Sequence, residues 1–161
     1  YRLVGYENRA LQREDFNNDK VDAGEIGAGH SVTAIYEIAL TGSRGLLLDK
    51  IRYQHATTGK KRAGKELALV RVRYKLPGKT SSRLIERPVL KADITQRLAH
   101  TSEHYRFSAA VAGFGQVLRG GRYTRDFGYE EVLELARVAR GADPFGYRGE
   151  FLQLVNLAAA L

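Results

Sequence analysis

Four groups of side chains in this chain have types and spacings that could do chemistry. The first is an acidic turn in which Asp15, Asn17, Asp19, Asp22 and Glu25 precede His30. Hard cations take several oxygens from alternate positions of such a turn. The calcium template nevertheless fails twice. Counted from Asp15, position 6 is Lys20 where the sharp turn needs Gly, and position 12 is Ile26 where a bidentate Glu belongs. The better reading is a polar turn whose Asp and Asn side chains bond their own backbone. Lying between two strands, it is also the first place to look for a partner surface.

The second group is Gly24, Gly27 and Gly29, with His30 directly after them. A dinucleotide-binding loop follows a strand and opens a helix. These glycines precede a strand instead, so they read as a turn that admits the chain to a sheet, and His30 as a strand-end side chain bonded to nearby backbone. The third group is His100 and His104, four apart with Thr101, Ser102 and Glu103 between them. On a helix they would share a face and could hold zinc with a third ligand, but the zinc-protease order, with Glu directly after the first His, is missing. No Gly-x-Ser-x-Gly elbow, Walker loop or Cys nucleophile is present. An enzyme assembled from distant residues such as His30 and His104 therefore ranks last, and no cofactor or metal is expected.

The fourth group is basic: Lys60, Lys61, Arg62, Lys65, Arg71, Arg73 and Lys75. Residues 1–40 carry 4 Lys/Arg against 7 Asp/Glu, residues 41–100 carry 15 against 4, and residues 101–161 carry 7 against 7. The whole excess of the +8 chain thus sits in the middle. Such a block could meet the phosphates of nucleic acid or anionic lipid. The plainer reading ranks first. In Val70-Arg71-Val72-Arg73-Tyr74-Lys75 the apolar side chains point one way and the cations the other, which describes a sheet with one wet face.

Positioning these groups requires a fold, and composition bounds it. The 161 residues are 43% apolar and 27% charged, as in a folded globular chain, and the absence of Cys excludes a disulfide or zinc-thiolate scaffold while leaving the redox compartment open. No apolar run reaches the roughly 18 residues of a membrane-spanning helix. The chain has no Met and starts Tyr1-Arg2-Leu3-Val4-Gly5-Tyr6, an alternation that reads as a strand entered in mid-course, so a piece of a longer polypeptide is expected.

Residues 1 to about 90 have the period of strands. Ser31–Leu40 places Val32, Ala34, Tyr36, Ile38 and Leu40 on one face, with Ile35 and Ala39 making the other partly apolar, so this strand is expected to be covered on both sides. Residues 46–55 give a weaker strand and 57–64 an exposed loop. Leu67–Leu76 and Arg83–Val89 form a hairpin through Pro77-Gly78-Lys79-Thr80, since Pro presets the first turn position and Gly supplies the unusual backbone angle. Near residue 91 the period lengthens to that of helices. One stripe holds Phe107, Ala110, Val111, Phe114, Val117 and Leu118, a second Tyr129, Val132, Leu133, Ala136 and Ala139, and a third Tyr147, Phe151, Leu154, Val155, Ala158 and Leu161. Residues 91–104 are either a fourth helix or an extended lead-in. The expected class is α+β: an antiparallel, sandwich-like region over 1–90 and a small helical region of three to four helices over 91–161.

Several segments carry a family resemblance. They are Tyr1–Arg9, Glu14–Asp19, Asp22–His30, Val32–Ile38, Arg71–Lys75, Phe107–Gly115 and Asp143–Arg148. Together they resemble the carboxy-terminal domain of uncharacterised function that follows the von Willebrand factor type A domain in a family of bacterial proteins, and the likeness covers nearly the whole chain. It implies an upstream type A domain as partner in the same polypeptide. It also implies an envelope location, periplasmic or held by a lipoprotein anchor, and a β-rich first half that continues sheet structure from upstream. The Asp-x-Ser-x-Ser metal motif of the type A module is absent from these residues. No ligand or catalytic role can therefore be carried over. The leading expectation is a non-enzymatic structural and protein-interaction module, with the turn from Asp15 to His30 as its candidate partner surface. A polyanion binder using the basic group stands second.

Overall fold

A computed structural model describes residues 1–5, 11–21, 24–40 and 65–161. The expected weak strand at 46–55 and loop at 57–64 lie outside the described residues, as do Asp22, Lys60, Lys61 and Arg62. Within the described residues the class is α+β, with two small antiparallel sheets toward the amino terminus and three helices toward the carboxy terminus. The chain forms two compact units that interleave in sequence. One comprises Tyr1–Glu7, Ser31–Ala39 and Thr95–Leu161, the other Asn8–His30 and Leu40–Ile94.

The first unit contains strands β1 (Arg2–Val4) and β2 (Ile35–Glu37), paired antiparallel with Arg2 opposite Glu37 and Val4 opposite Ile35. The long strand expected over Ser31–Leu40 is corrected to these three residues. Its partner is only three residues long, so pairing stops there, and Val32, Tyr36, Ile38 and Leu40 are exposed instead of covered. The same unit holds the three helices α1 (Glu103–Leu118), α2 (Tyr129–Val138) and α3 (Tyr147–Ala159). Residues 91–104 prove to be a lead-in, made of short 3-10 turns at Lys91–Asp93 and Leu98–His100 ahead of α1.

Local chemistry sets the helix limits. Ser102 caps α1 by accepting from the Tyr105 amide at 3.1 Å. At the other end Gly120 and Gly121 adopt positive φ, and their amides return to Val117 O and Gln116 O at 3.0 Å each, the paired bonds of a Schellman stop. Glu131 reaches back to the Gly128 amide at 2.8 Å to start α2. The core is where the stripes meet: Ala110 and Phe114 of α1, Val132 and Ala136 of α2, Ala139 just beyond it, and Val155 of α3 are all buried. Phe151 stacks edge-on against Phe107 at 5.4 Å and against Phe114 at 5.5 Å between centroids, joining α3 to α1. Gly113 admits Phe127 so closely that a Cβ there would stand 2.5 Å from the ring. Part of the third stripe remains open, because Tyr147, Leu154 and Leu161 turn away from this core and are exposed.

The second unit is built on a hairpin, β3 (Glu66–Tyr74) with β4 (Arg83–Leu90), in register from Ala68 opposite Val89 to Tyr74 opposite Arg83. Its turn follows the sequence expectation. The Lys79 amide donates to Leu76 O at 3.0 Å, Pro77 occupies the first central position, and Gly78 takes the second with φ of 71°.

Candidate functional site: an acidic turn clasped to a basic hairpin

Antiparallel partners share a face, so the register divides the hairpin cleanly. Arg71, Glu86, Arg73 and Leu84 stand on one side, and Val70, Arg87, Val72, Ile85, Tyr74 and Arg83 on the other. The acidic turn meets the side that bears Arg71 and Arg73. A short 3-10 helix at Arg13–Asn17 places the Phe16 ring beneath both guanidinium groups, 4.8 Å from Arg71 Cζ and 5.8 Å from Arg73 Cζ. Arg73 donates from Nη2 to Asn17 Oδ1 at 3.0 Å and from Nη1 to Ser82 Oγ at 2.6 Å. Its Nη1 also stands 3.6 Å from Asp19 Oδ1. The Ser82 amide donates to Asp19 Oδ2 at 3.2 Å, while Lys75 Nζ donates to the Asp19 carbonyl.

Electrostatics follow from this geometry. Hydrogen bonds from the Ser82 side chain and amide, then the charges of Arg73 and Lys75, hold the Asp19 carboxyl below its ordinary value of 3.8 against the opposing effect of desolvation. Arg71 Nε meets Glu86 Oε1 at 2.9 Å, directly opposite in the ladder. A half-exposed cross-strand pair of this kind contributes about 0.2–1 kcal/mol.

Two of the groups singled out from sequence thus meet. Asn17 and Asp19 of the acidic turn lie against Arg73 and Lys75 of the basic group, with Arg71 beside them. Asp15 is drawn into the 3-10 turn, where its carbonyl accepts from the Asn18 amide at 2.9 Å. Glu25 and His30 are exposed, and His30 Nδ1 lies 3.2 Å from the Ala28 carbonyl. Lys65 is exposed at the start of the hairpin, its carbonyl accepting from the Lys91 amide at 2.7 Å. Sequence reasoning missed Phe16, Ser82 and Glu86. The available signal was an aromatic residue inside an acidic turn, matched by arginines two apart on a strand.

A second polar cluster lies at the helix ends of the first unit. Arg148 Nη1 donates to Glu103 Oε1 at 2.7 Å, to Ala139 O at 2.8 Å and to Arg140 O at 2.9 Å. Its Nη2 lies 3.0 Å from His104 Nδ1, and its guanidinium sits 4.8 Å above the Phe107 ring. With Nη2 as donor, the His104 Nδ1 is the acceptor and the ring proton sits on Nε2. One side chain therefore ties the start of α1 to two carbonyls just past the end of α2. His100 lies in a 3-10 turn before α1, so the two histidines do not share a helix face. Asp143, with φ of 42° and a side chain only 4% exposed, accepts from the Arg148 amide at 3.0 Å and the Gly149 amide at 2.8 Å, serving the open amino terminus of α3. Burial pushes its carboxyl up, but these two amides and the Arg140 guanidinium outweigh burial and hold it below 3.8. Among the described residues no three His, Asp or Glu side chains gather as a metal site, and no helix is long and apolar enough to cross a membrane.

No solved structure matches the chain. A curated relative, described as "Uncharacterized protein YfbK" of Escherichia coli (strain K12), is 42% identical over 159 residues, covering 98% of this chain and 27% of the relative. The chain therefore spans about a quarter of that relative's length. The family model described as "Uncharacterized protein YfbK, C-terminal" matches residues 1–161, and the chain belongs to that family.

Proposed function

We propose that this domain is a non-enzymatic structural and protein-interaction module that accompanies a von Willebrand factor type A domain in a longer bacterial envelope polypeptide. One observation carries the reading: the ionisable side chains best suited to chemistry are engaged in holding the fold. Asp19 receives Ser82, Arg73 and Lys75, and Arg148 joins Glu103, His104 and two carbonyls. The share of the relative that this chain covers supports a role beside other domains. The polyanion alternative is less favoured because Arg71 and Arg73, central to it, are stacked on Phe16 and paired with Glu86 and Asp19.

The test compares this domain alone with the natural longer polypeptide by calorimetry. The reading expects the helical unit to melt at a higher temperature when the upstream type A domain is attached, and the separately produced upstream part to bind this domain in titration. Identical melting in both contexts together with no binding would refute it. Retention on heparin or DNA that weakens steeply with salt would favour the alternative.

A further inference from the structure

The hairpin's two faces are treated differently, and the difference points to a partner. The acidic turn lies against Arg71 and Arg73 on one face and leaves Leu69 and Leu84 of that face 49% and 40% exposed. The opposite face presents Val70, Val72, Tyr74 and Ile85 as a continuous stripe, with Val70 and Val72 each 49% exposed and Ile85 54% exposed. Arg83 and Arg87 stand on this same face at the two ends of the stripe, opposite Tyr74 and Val70, and neither forms an ion pair among the described residues. The chain's own turn thus lies on the side that carries the ion pairs, while the side richer in apolar residues is half exposed, the reverse of what a free-standing hairpin requires.

We infer that the Val70, Val72, Tyr74 and Ile85 face is a permanent interface, covered in the working protein by an apolar surface rimmed with carboxylates that lies in the amino-terminal part of the longer polypeptide. Three observations select this occupant. A two-stranded sheet is marginal in water by itself, so its apolar face needs a lasting cover and not a transient visitor. A second copy would bring Arg83 and Arg87 against their own counterparts with no carboxylate between them, so the complementary surface must be acidic. The chain covers 27% of the E. coli relative and matches a family described as carboxy-terminal, so chain preceding the domain is available to supply that surface. The inference rests on the proposed function and adds to it which face meets the upstream part and the charge of what it meets.

The experiment places p-benzoylphenylalanine at Ile85 in the purified natural polypeptide, with Leu84 on the opposite face as control, and maps the cross-links by mass spectrometry after irradiation. The expected result is cross-linking from position 85 to upstream residues of the same chain, within a segment containing Asp or Glu, at several times the yield from position 84. Yield should fall at least fivefold in Arg83→Glu/Arg87→Glu, and less in Arg83→Gln/Arg87→Gln, with the helical circular dichroism of both variants retained. Cross-links between two copies, cross-links confined to this domain, or yields indifferent to both charge changes would overturn the inference and leave the proposed function standing. A natural polypeptide with no folded domain upstream would overturn both. Protection of position 85 only by vesicles containing phosphatidylglycerol would replace the protein partner with a lipid surface, and so overturn it too.

Discussion

At the scale of single residues, the polar side chains with the most partners are those that close distant chain segments. Arg148 serves acceptors from the start of α1 and the end of α2 with one planar fork, a geometry that Lys cannot reproduce. Arg148→Ala should cost about 1.5–3 kcal/mol of stability, since it strips a charged donor from two carbonyls just past a helix end. Arg148→Lys should recover less than half of that loss. Urea titration followed by circular dichroism reads both. Asp143 gives a pH signature. Its folded carboxyl lies below the ordinary 3.8, so its contribution is fully present above that value and is lost as pH falls through the lowered one. The acid limb of stability below about pH 4 should therefore be shallower in Asp143→Asn than in the parent, with the two converging at low pH. The sequence made the alternation of Val70 and Val72 with Arg71 and Arg73 plain. It did not show that Asp19 and Asn17 would meet Arg73, because that meeting spans 56 residues and no local pattern encodes it.

Elements were legible where their signals are local. The three helices lie where the apolar stripes place them, because caps and glycine stops sit inside or beside each stripe: Ser102 and Gly120 for α1, Glu131 for α2, Asp143 for α3. The β3–β4 turn was equally readable from Pro77 and Gly78. Ser31–Leu40 was not, since strand length depends on the partner as much as on alternation, and β1 offers three residues. Burial along α3 was half legible for the same reason: the stripe states which side chains are apolar and not how much surface exists to cover them. The core that does form is small, and its largest aromatic contact should dominate. Phe114→Ala should cost about 3–5 kcal/mol and lower the helical melting temperature sharply, while Val111→Ala on the exposed side of α1 should change little. Thermal unfolding of the two variants checks the contrast.

For the whole molecule, the notable property is how much apolar sheet surface the described residues of the hairpin leave open, with Leu69, Val70, Val72, Leu84 and Ile85 all exposed. Open edges and faces of this kind favour association with other chains. Ile85→Lys should thus reduce concentration-dependent association of this chain by itself, seen in sedimentation or light scattering. Under the proposed interface, the same change in a polypeptide that includes the upstream part should lower stability, because a charge would then enter a covered surface. The net charge, legible from composition, gives no guide to this contrast, since the cations that dominate the count are partly consumed by the turn that clasps them.

The interleaving of the two units sets an order of events during synthesis. All of the hairpin unit is synthesised before α1, whereas Arg2 must wait for Gln116, 114 residues later, and for the Tyr123 ring that its guanidinium covers at 4.1 Å. At translation speeds of about 5–20 residues per second, the first strand spends on the order of ten seconds without its helical neighbours. The hairpin unit can settle first, and β1 closes on the helices only after it.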